Sequence, residues 1–332
     1  MTRVFSGITP SGHLTLGNYL GAIRQWVAAD QAPGDALFCV VDLHALTTEH
    51  DPARVGRLSR QAATLFLAAG LDPRRCTLFV QSHVDEHTRL SYLLECTATD
   101  GELRRMIQYR EKAAKAEASG QGVRLSLLTY PVLMAADILA YGADEVPVGE
   151  DQRQHVELTR DLAVRFNQRY GHTFTVPKAT VPAVAARVMD LQEPTSKMGK
   201  SAENGAGIVY LLDEPAVITK KVMRAVTDSG DGGVVYDRAA RPGVANLLDI
   251  LAACTGDDPE KLAARYSQYG PLKRDVAEAV VELLRPLQER HAELAADPGE
   301  VERVLREGAG RARALARPVV DRAYRAIGLL AP

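Results

Sequence analysis

Apolar positions along this chain follow two rhythms. In the first half, short β-branched runs at 3–8, 36–42, 76–81 and 145–148 read as strands. Between them, 17–29 and 51–69 carry apolar residues every three to four positions and read as helices, the second opened by Asp51-Pro52. That alternation predicts a parallel sheet wrapped by helices, with ligands at the carboxyl ends of the strands. A further apolar helix is expected over 130–141. Beyond Glu214 the strand rhythm stops, and 215–228, 243–254, 259–269, 272–296 and 298–327 are all helical in period. The expected fold class is α/β: a parallel-sheet domain over 1–213, then an all-α domain over 214–332. The glycine-rich runs Ser119 to Gly122 and Ser229 to Gly233 read as mobile loops.

Composition fits a two-domain enzyme. The chain has 332 residues, beyond the roughly 250 to 300 at which single cores stop growing, and 46% of them are hydrophobic. A net charge of −2 offers no global basic field, so a DNA-binding role is not expected and composition is neutral on RNA. Cys39, Cys76, Cys96 and Cys254 are scattered without a Cys-x-x-Cys pair, as in a reducing compartment. No stretch approaches the roughly 20 apolar residues of a membrane span, and residues 1–7 lack a signal peptide's regions. A cytoplasmic protein without membrane attachment is expected.

Candidate chemistry concentrates in two distant segments. Pro10-Ser11-Gly12-His13-Leu14-Thr15-Leu16-Gly17-Asn18 sets small residues and neutral donors where a strand gives way to a helix, which suits a triphosphate at the positive helix end. Lys197-Met198-Gly199-Lys200-Ser201 puts two ammonium groups on a loop. Attack of a carboxylate on the α-phosphorus of ATP needs in-line positioning and charge neutralisation, for which lysines and backbone amides suffice.

These segments resemble the paired signatures of the class I aminoacyl-tRNA synthetases, HIGH and KMSKS. Thr15-Leu16-Gly17-Asn18 stands at the first, and Gly199 replaces the serine of the second. Blocks at 17–26, 41–46, 101–112, 128–139, 146–155 and 225–229 resemble the bacterial tryptophanyl-tRNA synthetase family, so the resemblance spans nearly the whole chain. It implies a Rossmann-like nucleotide-binding domain that includes the 197–201 loop, and a helical domain that reads the tRNA anticodon, the last helix being available to complete the catalytic fold. It implies activation of L-tryptophan with ATP and Mg²⁺, the ion held mainly by the phosphates, transfer to tRNA(Trp), and a homodimer.

Carried over residue by residue, the resemblance assigns ATP to Thr9, Pro10, Ser11, Gly17, Asn18, Gly149, Glu150, Asp151, the backbone at Val188, and Lys197 through Ser201. Asn18, Lys112, Lys197 and Lys200 are the expected catalytic set, with no resident metal. Thr9 departs from the glutamine more usual there, and Gly199 adds backbone freedom to the closing loop. Tryptophan is assigned to Phe5, Gly7, His44, Tyr130, Met134, Asp137 and Gln152, with Asp137 on the indole nitrogen and Tyr130 and Gln152 on the ammonium end.

Part of that pocket follows from physics alone. Tyr130, Met134 and Asp137 recur at i, i+4 and i+7 on one helix face, and the aspartate is the odd residue in an apolar run. A carboxylate there needs a donor. Indole N–H is a donor without acceptor capacity, and methionine packs well against rings. The competing reading makes Asp137 an exposed or intramolecularly paired helix residue, and His44 a structural histidine.

Other patterns have bland readings. His83-Val84-Asp85-Glu86-His87 matches an inverted zinc-protease motif, but a helix start capped by Ser82 and Asp85 is expected instead. Gly205-Ala206-Gly207 and Gly308-Ala309-Gly310 read as turns and caps. Arg306, Arg313 and Arg317, like Lys220, Lys221 and Arg224, are either a solvated face or phosphate contacts. Trp26 is read as core or subunit interface. A tyrosine-selective synthetase, a nucleotidyl transferase outside translation and an inactive paralogue are the rival functions.

Overall fold

The computed structural model describes residues 2–30, 35–48, 50–120, 122–149, 152–180, 188–199, 205–228 and 233–330. The chain begins with strand β1 (Arg3–Ile8), then α1 (Leu16–Asn18), a π-helical turn Tyr19–Ile23 and α2 (Arg24–Asp30). Strand β2 (Asp35–Val40), α3 (Pro52–Ala68) and β3 (Thr77–Val80) follow, then α4 (Glu86–Glu95), α5 (Asp100–Arg104), α6 (Ile107–Ala118) and α7 (Leu125–Leu139). Strand β4 (Glu145–Pro147), α8 (Arg153–Tyr170) and β5 (Lys178–Thr180) close the sheet. After a 3-10 turn (Gly205–Gly207), five α-helices remain among the described residues: α9 (Pro215–Met223), α10 (Pro242–Thr255), α11 (Pro259–Ala263), α12 (Tyr269–Ala296) and α13 (Pro298–Ile327).

The sheet runs β3-β2-β1-β4-β5 with every described pairing parallel. Strand order reverses between β1 and β4, and the crevice at that switch point is where sheets of this kind hold ligands. Alternate side chains feed two separate cores. Ile8, Phe38, Val40, Leu78 and Val80 face one layer, which also takes in buried residues of α3, α9, α10 and α12. Phe5, Leu37, Cys39, Val41 and Phe79 face the other, shared with α4, α7, α8 and α13. Helices from the C-terminal third thus cover both faces of the sheet. Trp26 is core: it stacks on Phe38 at 4.8 Å and meets Phe66 edge-on at 5.1 Å.

Several elements differ from the sequence reading. The helix expected over 17–29 carries a π-helical turn, an insertion that a fixed 3.6-residue period does not register. The helix expected from Tyr130 begins at Leu125, with Pro131 inside it; buried Leu127, Leu128 and Val132 carry the helix through the proline. Strand β5 escaped notice because three residues, Lys-Ala-Thr, at a sheet edge have no apolar alternation to read. Gly308 is neither turn nor cap. It lies inside α13 where that helix crosses β3, and a Cβ there would stand 1.8 Å from the Leu78 carbonyl oxygen. Only glycine lets the helix come so close.

Candidate active site

The parallel strands deliver their carboxyl ends to one edge, and β1 to β4 each reach a polar residue or glycine within two positions. β1 leads into Thr9-Pro10-Ser11, β4 into Val148-Gly149, β2 into a 3-10 turn (Leu43–Thr47) carrying His44, and β3 into another (Gln81–His83) opened by Gln81. α7 packs against α4, α8 and the turn at 43–47, which brings its Asp137 beneath this edge.

On the nucleotide side the two signatures adjoin. The stretch before α1 is zipped to residues 209–211: Leu16 N–H donates to Val209 at 2.8 Å and Leu211 N–H to Leu14 at 3.0 Å. Thr15 caps α1 through a reciprocal box. Asn18 N–H donates to Thr15 Oγ1 at 3.3 Å, and Thr15 N–H donates to Asn18 Oδ1 at 3.0 Å. With Oδ1 engaged, the Nδ2 amide is the end of Asn18 able to donate to a phosphate. A Cβ on Gly17 would lie 3.5 Å from the Met198 carbonyl oxygen, so backbone of the first signature meets backbone of the second. Met198 is buried, Lys197 exposed, and Met198 N–H donates to Val188 at 3.1 Å. Asn246 of α10, buried and absent from the sequence expectations, clamps this segment by donating to Met189 carbonyl at 3.0 Å and accepting from Met189 N–H at 2.9 Å. Glu150, Asp151, Lys200 and Ser201 lie outside the described residues, as do Gln121 and 229–232 of the two glycine-rich runs.

The amino-acid side is built from buried side chains instead. Asp137 is 2% exposed, and both its oxygens are engaged. Oδ2 receives His44 Nε2 at 2.8 Å, Oδ1 receives His87 Nδ1 at 2.6 Å, and Gln81 Nε2 donates to Oδ1 at 2.8 Å and Oδ2 at 2.9 Å. Burial alone would push this carboxyl up, but the His44 hydrogen bond and the adjacent His87 hold it well below the ordinary carboxylate range. The aspartate is therefore buried and intramolecularly paired, not exposed. Gln81 also accepts from Leu43 N–H at 3.0 Å, tying the turn that carries His44 to the same cluster.

Around it, Phe5 stacks on Tyr141 at 5.6 Å, and exposed Gly7 is packed so that a Cβ would press to 2.8 Å from Val41 Cγ1. Tyr130 and Met134 are half-buried along α7, as their spacing with Asp137 predicts. The Tyr130 hydroxyl lies 2.8 Å from His155 Nε2 and donates to Gln108 Oε1 at 3.3 Å, and burial raises its pKa, so it stays a neutral phenol. The Lys112 ammonium, carried by α6, stands 5.3 Å over the Tyr130 ring, which joins this helix to the pocket wall. Gln152 occupies the position before α8 without a side-chain capping bond.

The segment 83–87 holds the expected helix start, α4 opening at Glu86, but not the expected side-chain caps. Asp85 occupies the position before α4 without a side-chain capping bond. Ser82 turns to Asp42, donating from Oγ at 2.5 Å and from N–H at 2.9 Å, because the acidic end of β2 lies closer than the helix start. The zinc-type pattern does not converge: His83 is exposed, whereas His87 is wholly buried with both ring nitrogens engaged. Sequence spacing singled out this motif for the wrong reason and missed its link to Asp137, fifty residues on. Among the basic residues, Arg313 donates to the His83 carbonyl at 2.7 Å, and Lys221 donates to Asp213 at 2.6 Å and the Ile208 carbonyl at 2.7 Å, so both are intramolecular braces. Arg317 pairs with Asp321 at 3.9 Å, while Arg306, Lys220 and Arg224 lie on the surface.

Comparison with known proteins agrees with this layout. Residues 1–285 match the family described as tRNA synthetases class I (W and Y). The chain is 77% identical over 330 residues to Tryptophan--tRNA ligase 1 of Streptomyces avermitilis, covering 99% of each. A crystal structure of tryptophanyl-tRNA synthetase from Mycoplasma pneumoniae superposes with a TM-score of 0.91 at 35% identity, over 99% of this chain and 98% of that one. The Campylobacter jejuni enzyme complexed with ADP and tryptophan gives 0.83 at 32%, over 99% and 100%. With its signatures adjoined at the switch point of a parallel sheet, the chain belongs to the class I tRNA synthetases of the tryptophan and tyrosine family.

Proposed function

We infer that the chain is a tryptophan--tRNA ligase. It joins L-tryptophan to ATP as tryptophanyl-adenylate, releasing pyrophosphate, and passes the aminoacyl group to the terminal ribose of tRNA(Trp). The substrate carboxylate is the nucleophile, so no side chain forms a covalent intermediate. ATP enters with Mg²⁺ on its phosphates along Thr9 to Ser11, Gly17 and Gly149. Asn18 donates to the triphosphate, and Lys197, Lys200 and Lys112 neutralise charge that grows on the departing pyrophosphate. Glu150, Asp151, Val188 and Ser201 complete the nucleotide site. Phe5, Gly7, His44, Met134 and Asp137 surround the indole, with Tyr130 and Gln152 toward the ammonium end. The helical region 214–332 contacts the tRNA anticodon, and two copies pair so that one tRNA touches both.

The observation that carries the choice of amino acid is Asp137: a buried, ionised acceptor on an apolar helix at the ligand edge of the sheet, with the partly exposed His44 on its Oδ2. It suits a planar apolar side chain bearing one N–H donor. Pyrophosphate exchange into ATP is expected to depend on tryptophan and to exceed that with tyrosine or phenylalanine by about 10³-fold, since phenylalanine lacks the donor this site is built for and tyrosine carries its O–H on a smaller ring at a different position. Exchange favouring tyrosine would overturn the assignment, and no exchange with any amino acid would favour an inactive paralogue.

A further inference from the structure

We propose that His87, backed by Tyr141 and flanked by Gln81, is a positioning residue for amino-acid selection that presents Asp137 to the indole N–H. The proposal rests on the reading of Asp137 as the indole acceptor.

Hydrogen-bond bookkeeping assigns the ring state. Ionised Asp137 can only accept, so His87 Nδ1 carries the proton across the 2.6 Å contact. Burial raises the Tyr141 phenol well above its ordinary pKa, so its O–H stays protonated and donates to His87 Nε2 at 2.7 Å. The result is a directed chain, Tyr141 to His87 to Asp137, in which each bond polarises the next. Gln81 fixes the carboxylate plane by donating to both oxygens. Gln81 and His87 are fully buried, whereas the His44 side chain is 12% exposed. A substrate arriving from solvent therefore meets Asp137 on the Oδ2 side, where His44 stands, while His87 on Oδ1 and Gln81 on both oxygens hold the carboxylate still. The His87 side chain is buried against one stretch of chain, Asp137 of α7 and Tyr141 just past that helix's end, and serves no helix cap and no backbone group among the described contacts; its two bonds are both directed along this chain.

The test compares His87→Leu, His87→Asn and Tyr141→Phe in pyrophosphate exchange. His87→Leu removes the donor and is expected to raise the KM for tryptophan by roughly 10-fold or more, the worth of one hydrogen bond to a charged group. Its kcat and its KM for ATP should stay within about twofold, and its preference for tryptophan over phenylalanine should narrow by the same factor as KM rises. Asparagine places its amide nitrogen near the Nδ1 position, so His87→Asn should recover most of the tryptophan KM; Tyr141→Phe should show a smaller loss. An unchanged tryptophan KM in folded His87→Leu overturns the proposal, and so do parallel rises in both KM values that asparagine does not rescue. The ¹⁵N signals of His87 in the unaltered protein give a readout that does not need activity: an Nδ1–H, Nε2-accepting ring is expected, and the other tautomer overturns the proposal. If the unaltered protein lacked tryptophan-dependent exchange while that tautomer stood, the activity reading alone would fall.

Discussion

The nucleotide and amino-acid halves of the site share one sheet edge but are built from different materials. Toward ATP, the protein offers backbone amides, glycines and lysines: a capping box at Thr15 and Asn18, Gly17 against the Met198 carbonyl, and an exposed Lys197. Toward the amino acid, it offers buried side chains locked to one another, with Asp137 held by His44, Gln81 and His87. A triphosphate brings its own charge and needs neutralisation that develops during reaction, so cations placed to meet that charge serve. An indole brings one weak donor, so its recognition requires a preorganised acceptor out of water. One half should fail kinetically when altered, and the other should fail structurally as well.

The largest expected effect is on the amino-acid side. Asp137→Ala strands the donors of His87 and Gln81 in the core and should cost about 3–5 kcal/mol of stability, besides the loss of tryptophan activation. Because its carboxyl sits below the ordinary range when folded, the stabilisation from Asp137 is complete above about pH 4 and is lost as pH falls through the folded value. Denaturant midpoints measured against pH should thus show the wild type and the variant converging in strong acid. A variant as stable as the wild type at pH 7 would break the comparison.

On the nucleotide side, Lys200→Ala should lower kcat for activation by about 10²- to 10³-fold, as for loss of one preorganised donor, with the melting temperature and equilibrium tryptophan binding nearly unchanged. Tryptophan binding that weakened as much as kcat fell would make this lysine a ground-state contact. Next in size is Gly308→Ala, which forces α13 off the Leu78 carbonyl and should cost about 1–3 kcal/mol by thermal unfolding. No change there would mean that the helix and β3 are not held in contact. The smallest effect is expected at Thr15→Ala, which removes a cap worth about 1 kcal/mol. It should raise the KM for ATP more than that for tryptophan, and equal rises would show that the two halves are not separable in this way.

Legibility in the sequence followed the same division. The parallel sheet was readable because buried parallel strands are continuous apolar runs, as at Leu37 to Val41, and the two signatures because their chemistry lies in contiguous residues. Asp137 was readable as an anomaly, a carboxylate with Tyr130 and Met134 on one helical face. His87, Gln81 and Asn246 were not, since nothing in their own neighbourhoods distinguishes a buried polar residue from a solvated one. His87 was read only as part of a helix start, where it does lie, with no hint of its partner.

By itself, then, the sequence determined what local periodicity and short motifs can encode: the parallel α/β class with a helical C-terminal region, the family, and the two signatures that the fold brings together. The tertiary structure decided which polar residues complete one another. Asp137 lies 50 positions from His87, 56 from Gln81 and 93 from His44, and the parallel strand order and α7's packing on α4 and α8 are what bring them within hydrogen-bond reach. Hydrogen bonds act over about 3 Å in space, whereas periodicity acts only along the chain.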